Sequence, residues 1–143
     1  MDKTYIVKGK EVTEQWFVVD AAGQTLGRVA TRVAAALKGK NRPEYTPGLS
    51  LGDHIIIVNA EKIVVTGKRL DSKKYYRVSG YPGGIKSETL RRVLDTHPER
   101  ALASAVKGML PHNRFGRALL RNLKVYAGPE HPHTAQQPKP LPV

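Results

Sequence analysis

Apolar and polar positions along this chain switch between two periods, and the switches mark its elements. Trp16-Phe17-Val18-Val19 is a continuous apolar run closed by Asp20, which predicts a buried strand. After the loop Ala21-Ala22-Gly23-Gln24-Thr25, Leu26, Val29, Ala30, Val33, Ala34 and Leu37 recur at i, i+3, i+4 and i+7, the spacing of one helical face. The helix should stop at Gly39, where glycine takes positive φ at little cost, with Lys38 against the negative end of the dipole. His54-Ile55-Ile56-Ile57-Val58 and Ile63-Val64-Val65-Thr66 are β-branched runs that predict strands, and Tyr75-Tyr76-Arg77-Val78 predicts a third. Gly80-Tyr81-Pro82-Gly83-Gly84 breaks regular structure.

Further on, Ser87 is placed to cap a helix carrying Leu90, Val93 and Leu94. Pro98 and Glu99 then suit the first turn of another, which presents Ala101, Leu102, Ala105, Val106 and Met109 on one side. A short helix over 116–122 leads into Leu123-Lys124-Val125-Tyr126, the expected last strand. Five of the ten prolines lie in residues 129–143, so the tail is expected to be extended. A β–α unit, further strands, then helices and a closing strand favour a three-layer α/β/α sandwich around a small sheet. One domain of 143 residues is expected, with an arm over 1–14, a body over 15–126 and a tail over 127–143.

Charge narrows the function. Lys and Arg number 24 against 12 Asp and Glu, a formal net charge of +12, and such an excess favours a polyanionic partner. Its distribution says more. No acid lies between Glu99 and Glu130, an interval holding Arg100, Lys107, Arg114, Arg117, Arg121 and Lys124. Arg117 and Arg121 are four apart and share a helix face, while Leu119, Leu120 and Leu123 can turn inward. A second cluster is Arg28 and Arg32 on one side of the first helix, continued by Lys38, Lys40 and Arg42. The third is Lys68, Arg69, Lys73, Lys74 and Arg77, diluted only by Asp71. Any one basic stretch is commonly just a solvated face. Three on one small chain look like several contacts with a phosphate backbone.

The readers of the DNA major groove have no support here: no Cys/His finger, no basic-leucine heptads, no helix-turn-helix spacing. Tyr75 and Tyr76 are adjacent and would point to opposite faces of a strand, unlike an aromatic single-strand platform. Recognition by shape and backbone remains, and it fits folded RNA.

Catalysis finds no warrant. The β–α layout over 16–38 invites a dinucleotide fold, but Gly23-Gln24-Thr25-Leu26-Gly27 lacks the G-x-G-x-x-G spacing, and Gly67-Lys68-Arg69 is not a phosphate loop. His131 and His133 form an H-x-H pair beside Glu130, yet they lie among prolines with no third ligand evident. Asp20 ahead of a helix more often accepts backbone N–H bonds than acts as a base. Cys is absent, which removes disulfides, thiolate metal sites and thiol nucleophiles. No apolar run exceeds the five residues Val33 to Leu37, and Met1-Asp2-Lys3-Thr4 opens no signal peptide. A cytoplasmic protein without cofactor or metal is expected.

Val106-Lys107-Gly108-Met109-Leu110-Pro111, then Gly116-Arg117, then Leu123-Lys124-Val125-Tyr126-Ala127-Gly128 resembles the signature of the universal large-subunit ribosomal protein L-thirteen family. The resemblance extends to Glu44-Tyr45-Thr46-Pro47, Asn59-Ala60-Glu61-Lys62, Gly83-Gly84-Ile85-Lys86 and the tail from Glu130 to Pro138, and looks like the bacterial form. It implies an α/β/α fold around a mostly parallel sheet. It also implies a non-catalytic ribosomal component that binds large-subunit RNA early in assembly, beside neighbouring ribosomal proteins. Carried onto matching positions, it points to Lys107, Arg114, Arg117, Arg121 and Lys124 as RNA contacts. Arg28, Lys38, Lys40 and Arg42 come second, and Lys68, Arg69, Lys73, Lys74 and Arg77 third. His131 and His133 belong to a tail motif that looks like a packing or RNA contact.

Overall fold

The computed structural model describes residues 5–8, 11–51 and 53–141; the rest of the expected arm (1–4, 9 and 10), Gly52 of the connection and the last two tail residues lie outside that part. In chain order the elements are β1 (Trp16–Asp20), α1 (Leu26–Leu37), β2 (His54–Val58), α2 (Arg69–Ser72), β3 (Lys74–Val78), β4 (Ile85–Thr89), α3 (Leu90–Thr96), α4 (Pro98–Met109), α5 (Arg114–Arg121), β5 (Leu123–Val125) and β6 (Lys139–Pro140). A four-stranded parallel sheet in the order β5-β2-β1-β6 forms the centre, and β3 and β4 make a separate antiparallel hairpin. The expected α/β architecture around a small parallel sheet, flanked by helices, is what the chain forms.

Crossover handedness assigns the layers. The steps β1 to β2 and β2 to β5 move across the sheet in one direction, so right-handed connections put their helices on one face. There Phe17, Val19, Ile55, Ile57, Leu123 and Val125, the inward set of alternating residues, pack with Val29, Val33, Leu37, Leu102, Val106 and Leu119. Each fully buried side chain among them contributes about 1.5–3 kcal/mol relative to exposure, and the partly buried Phe17, Val19 and Val125 contribute less. The step from β5 to β6 runs the other way, so the tail crosses the opposite face. The tail makes one 3-10 turn over Thr134–Gln136 and docks on a platform in the sheet, where Trp16 and His54, cross-strand partners, stack at 4.3 Å with planes 9° apart. The His133 ring lies 5.2 Å from Trp16. Beyond it, β6 pairs with β1.

The helix expected to end at Gly39 ends at Leu37 with Lys38 as its cap, and Gly39 has φ +75°. Its backbone lies so close to Leu51 that a Cβ there would sit 2.5 Å from Cδ1. Four expectations need correction. The strand at Leu123 is not the last one, since the tail adds β6 beside β1. Ile63-Val64-Val65-Thr66 is not a strand; only Val64 bridges, to Thr25, because the turn into α1 offers a single pairing position. Ser87 does not cap a helix but lies in β4, and Thr89 is the cap, its Oγ1 accepting from the Arg92 N–H. The short helix starts at Arg114 rather than at 116, since Asn113 Oδ1 accepts the Gly116 N–H at 2.9 Å and sets the entry earlier. A second hydrophobic cluster of Leu90, Val93 and Ala101 seats the hairpin through Tyr75.

Candidate nucleic-acid interface

Helix α5 carries the clearest arrangement. Arg114, Arg117 and Arg121 are exposed, at i, i+3 and i+7, so they share one side. Leu119 is buried on the other, with Phe115 and Leu120 packed against the main core. No carboxylate lies within ion-pairing distance of any of the three among the described residues. The helix that carries them is therefore fixed in place by packing underneath, and their guanidinium groups are open to an external anion.

The C-terminal half of α4 joins this helix to the other basic segments. Lys107 and Arg117 line one cleft, closed by Pro111 and Gly116. Met109 lines a groove with Lys38 and Lys40, and it also lines a larger cavity with Arg69 and Lys73. Residues distant in sequence thus meet around one helix end. Asp71 does not dilute the third cluster, because Arg91 holds it at 2.9 and 3.2 Å, and that hydrogen bonding keeps its carboxyl below the ordinary range. Arg100 is likewise tied to Glu88 at 3.2 Å. Arg28 is exposed on α1, and Lys68, Lys74 and Arg77 are exposed at or near the hairpin.

Arg42 stands apart. Its Nη2 donates to Asp53 Oδ1 and to the Thr13 carbonyl, and the two charged side chains are 16% and 5% exposed. Burial pushes the Asp53 carboxyl upward against the opposing pull of Arg42. This arginine links the arm to the loop after α1 and is not presented to an anion. Arg42→Ala should cost about 2 kcal/mol of stability, somewhat under the ~3–5 kcal/mol of a fully buried pair, as measured by urea melts. RNA affinity per folded molecule should stay unchanged.

Lys124 and the tail histidines occupy the sheet face opposite the helices. Tyr126 Oη and His133 Nε2 are 2.7 Å apart, and the His133 N–H donates to His131 Nδ1 at 3.3 Å. His133 is thus a packing element. Burial, then His131, Lys124 and His54, lower its pKa below the ordinary 6.5. With the folded value depressed, the unfolded chain binds the proton first. Stability from this contact is complete above pH 6.5 and lost as pH falls through the folded value. Thermal melts from pH 7.5 to 5 should show that decline, and His133→Gln should flatten it.

Asp20 behaves as expected of a residue ahead of a helix: Oδ1 accepts the Ala22 N–H at 2.9 Å and Asn59 Nδ2 at 2.8 Å, and these bonds lower its pKa. Asn59, at φ 57°, also donates its backbone N–H to the Gly128 carbonyl at 2.9 Å, joining β1, β2 and the tail. Sequence reasoning did not find the cavity beside Arg69 and Lys73, whose walls come from four separate segments, nor the stacking of Trp16 on His54.

The profile of the family described as Ribosomal protein L13 matches residues 14–132. The large ribosomal subunit protein uL13 of Symbiobacterium thermophilum is 59% identical over 143 residues, covering both chains entirely. That of Thermotoga petrophila is 57% identical over 141 residues, 99% of this chain and 95% of its own. That of Oleidesulfovibrio alaskensis is 58% identical over 139 residues, 97% of this chain and 96% of its own.

Proposed function

This chain belongs to the ribosomal protein L13 family, a structural and non-catalytic family, and from that premise we propose that it binds large-subunit ribosomal RNA and supports early subunit assembly. One observation above all supports the reading: three arginines on one side of α5 have no acidic partner among the described residues, while the other side is packed into the core. Cations mounted this way suit phosphate oxygens, which position a protein on RNA without reading sequence. The proposed contacts are Arg114, Arg117, Arg121 and Lys107 first, then Arg28, Lys38 and Lys40, then Lys68, Arg69, Lys73, Lys74 and Arg77. Arg42, paired with Asp53, and His133, bonded to Tyr126, serve the fold instead, and Lys124 and His131 on the tail side of the sheet complete the proposed contacts. On this reading residues 1–143 act as one ribosomal-protein domain of arm, body and tail, working on the ribosome beside neighbouring large-subunit proteins.

Engagement of ~6 to 10 phosphates would reduce affinity by about 10³ to 10⁵ between 50 and 200 mM salt on the duplex-DNA scale. Filter binding of in vitro transcribed large-subunit RNA, in competition with random duplex DNA at about 150 mM salt, tests the proposal. Strong preference for the RNA supports it. Equal binding to both would mean a nonspecific polyanion coat.

A further inference from the structure

The cavity beside Arg69 and Lys73 has a composition that the phosphate-gripping surfaces lack. It encloses about 400 Å³, within the ~300–1,000 Å³ of sites that hold small organic groups. It lies where the hairpin's hydrophobic cluster meets the main core: Leu26 packs with both clusters, Leu90 and Tyr75 belong to the hairpin side, and Ala105 to the main core.

Three kinds of group face this space. Leu26, Val65, Leu90 and Met109 give it apolar walls, and Tyr75 adds an aromatic ring. Met109 is an adaptable wall, since its Sδ has only a loose contact with Thr31 Oγ1 at 3.6 Å, whose hydrogen goes to the Gly27 carbonyl. Thr25, Thr66 and Ser104 bring side-chain hydroxyls that make no hydrogen bond among the described residues. Arg69 and Lys73 supply positive charge, with Lys73 Nζ 5.6 Å from the Tyr75 ring centroid. Among the described residues no acidic one lines the cavity, and Asp71, the acid nearest in sequence to both cations, is held by Arg91.

A matching ligand has a flat aromatic body, polar atoms on its edge and an anion attached. We propose that this cavity takes one unstacked nucleotide of the ribosomal RNA, its base between Tyr75 and Met109 and its phosphate at Arg69 and Lys73. The inference rests on the proposed RNA binding and adds a base-receiving site to it. An extruded base is the form in which RNA offers its flat face and edge to protein side chains, and the hydroxyls, able both to donate and to accept, accommodate its edge. Met109 also borders the groove of Lys38 and Lys40, so the RNA backbone can run from the cavity on to those cations.

Ser104→Trp tests the site, because it fills the space from exposed α4 surface without removing a cation. Against in vitro transcribed large-subunit RNA it should bind about tenfold more weakly, the scale of one lost base–aromatic stack, with an unchanged salt slope. Chemical probing should show an unpaired nucleotide protected by the natural chain and left reactive by the variant. Ultraviolet cross-linking of the natural chain to the same RNA gives an answer that does not depend on the variant folding: cross-links should map to the peptides containing Tyr75 or Met109. Wild-type affinity and protection for Ser104→Trp, or cross-links confined to α1 and α5, would overturn the base site while leaving RNA binding intact. Failure of the natural chain to bind the RNA at all would overturn both.

Discussion

Replacing Arg114, Arg117 and Arg121 together by alanine is expected to remove about 100-fold of the affinity for large-subunit RNA while the protein stays folded. Each guanidinium that leaves a phosphate forfeits a charge-assisted hydrogen bond, and three such losses at ~1 kcal/mol each reach that factor. The slope of log K against log salt should fall by about 2 to 3, at roughly 0.7–0.9 per contact. Stability should barely move, because all three side chains are exposed and surface substitutions of this kind stay within ~0.5 kcal/mol. The dipole contributions partly cancel: Arg121 is in the last turn, where a cation is favourable, while Arg114 is the first residue after the Asn113 cap, where it is not. A cation kept at the unfavourable end of a helix departs from local preference in the way functional sites do. Filter binding across a salt series, run beside thermal melts, checks the result. An unchanged slope would remove α5 from the interface.

The contrast between these arginines and Arg42 shows how far the sequence carried the site. Charge counting treats all of them alike, and it located the basic segments because acids are missing around them. It could not see that Asp53 reaches Arg42 across a loop, or that Arg91 withdraws Asp71 from its basic neighbours. Those pairings depend on tertiary placement. The elements follow the same logic. Helices α1 and α4 were legible because their apolar faces repeat within twelve residues each. Strand β4 was not, since Lys86-Ser87-Glu88-Thr89 has helix-start chemistry and becomes a strand through pairing with β3. Strand β6 is two residues including a proline, and its pairing with β1 depends on tertiary placement of the tail, whose His133 lies against Trp16. The cavity left no trace in any local pattern, its lining being contributed by segments up to eighty residues apart.

Gly116→Ala is expected to be the most damaging small substitution in the basic region. A Cβ at this position would stand 1.8 Å from the Pro111 carbonyl oxygen and 2.8 Å from its carbon. Both are backbone atoms, with no side-chain rotation available to relieve the contact. Relief requires moving the first turn of α5 away from the end of α4, which breaks the 2.9 Å bond from the Gly116 N–H to Asn113 Oδ1 and lifts Leu119 from the core. Overpacking of this kind costs about 3 kcal/mol, or a fall in Tm of roughly 10 °C for a chain this long. Gly108 supplies the control. It is exposed within α4 with nothing within 4 Å of its missing Cβ, so Gly108→Ala should stabilise by about 0.5–1 kcal/mol through helix propensity. Two glycines eight positions apart, given the same methyl group, are thus expected to shift the melt in opposite directions. RNA binding should follow only the first of them, because the displacement at Gly116 re-aims Arg114 and Arg117 away from the cleft that Arg117 shares with Lys107.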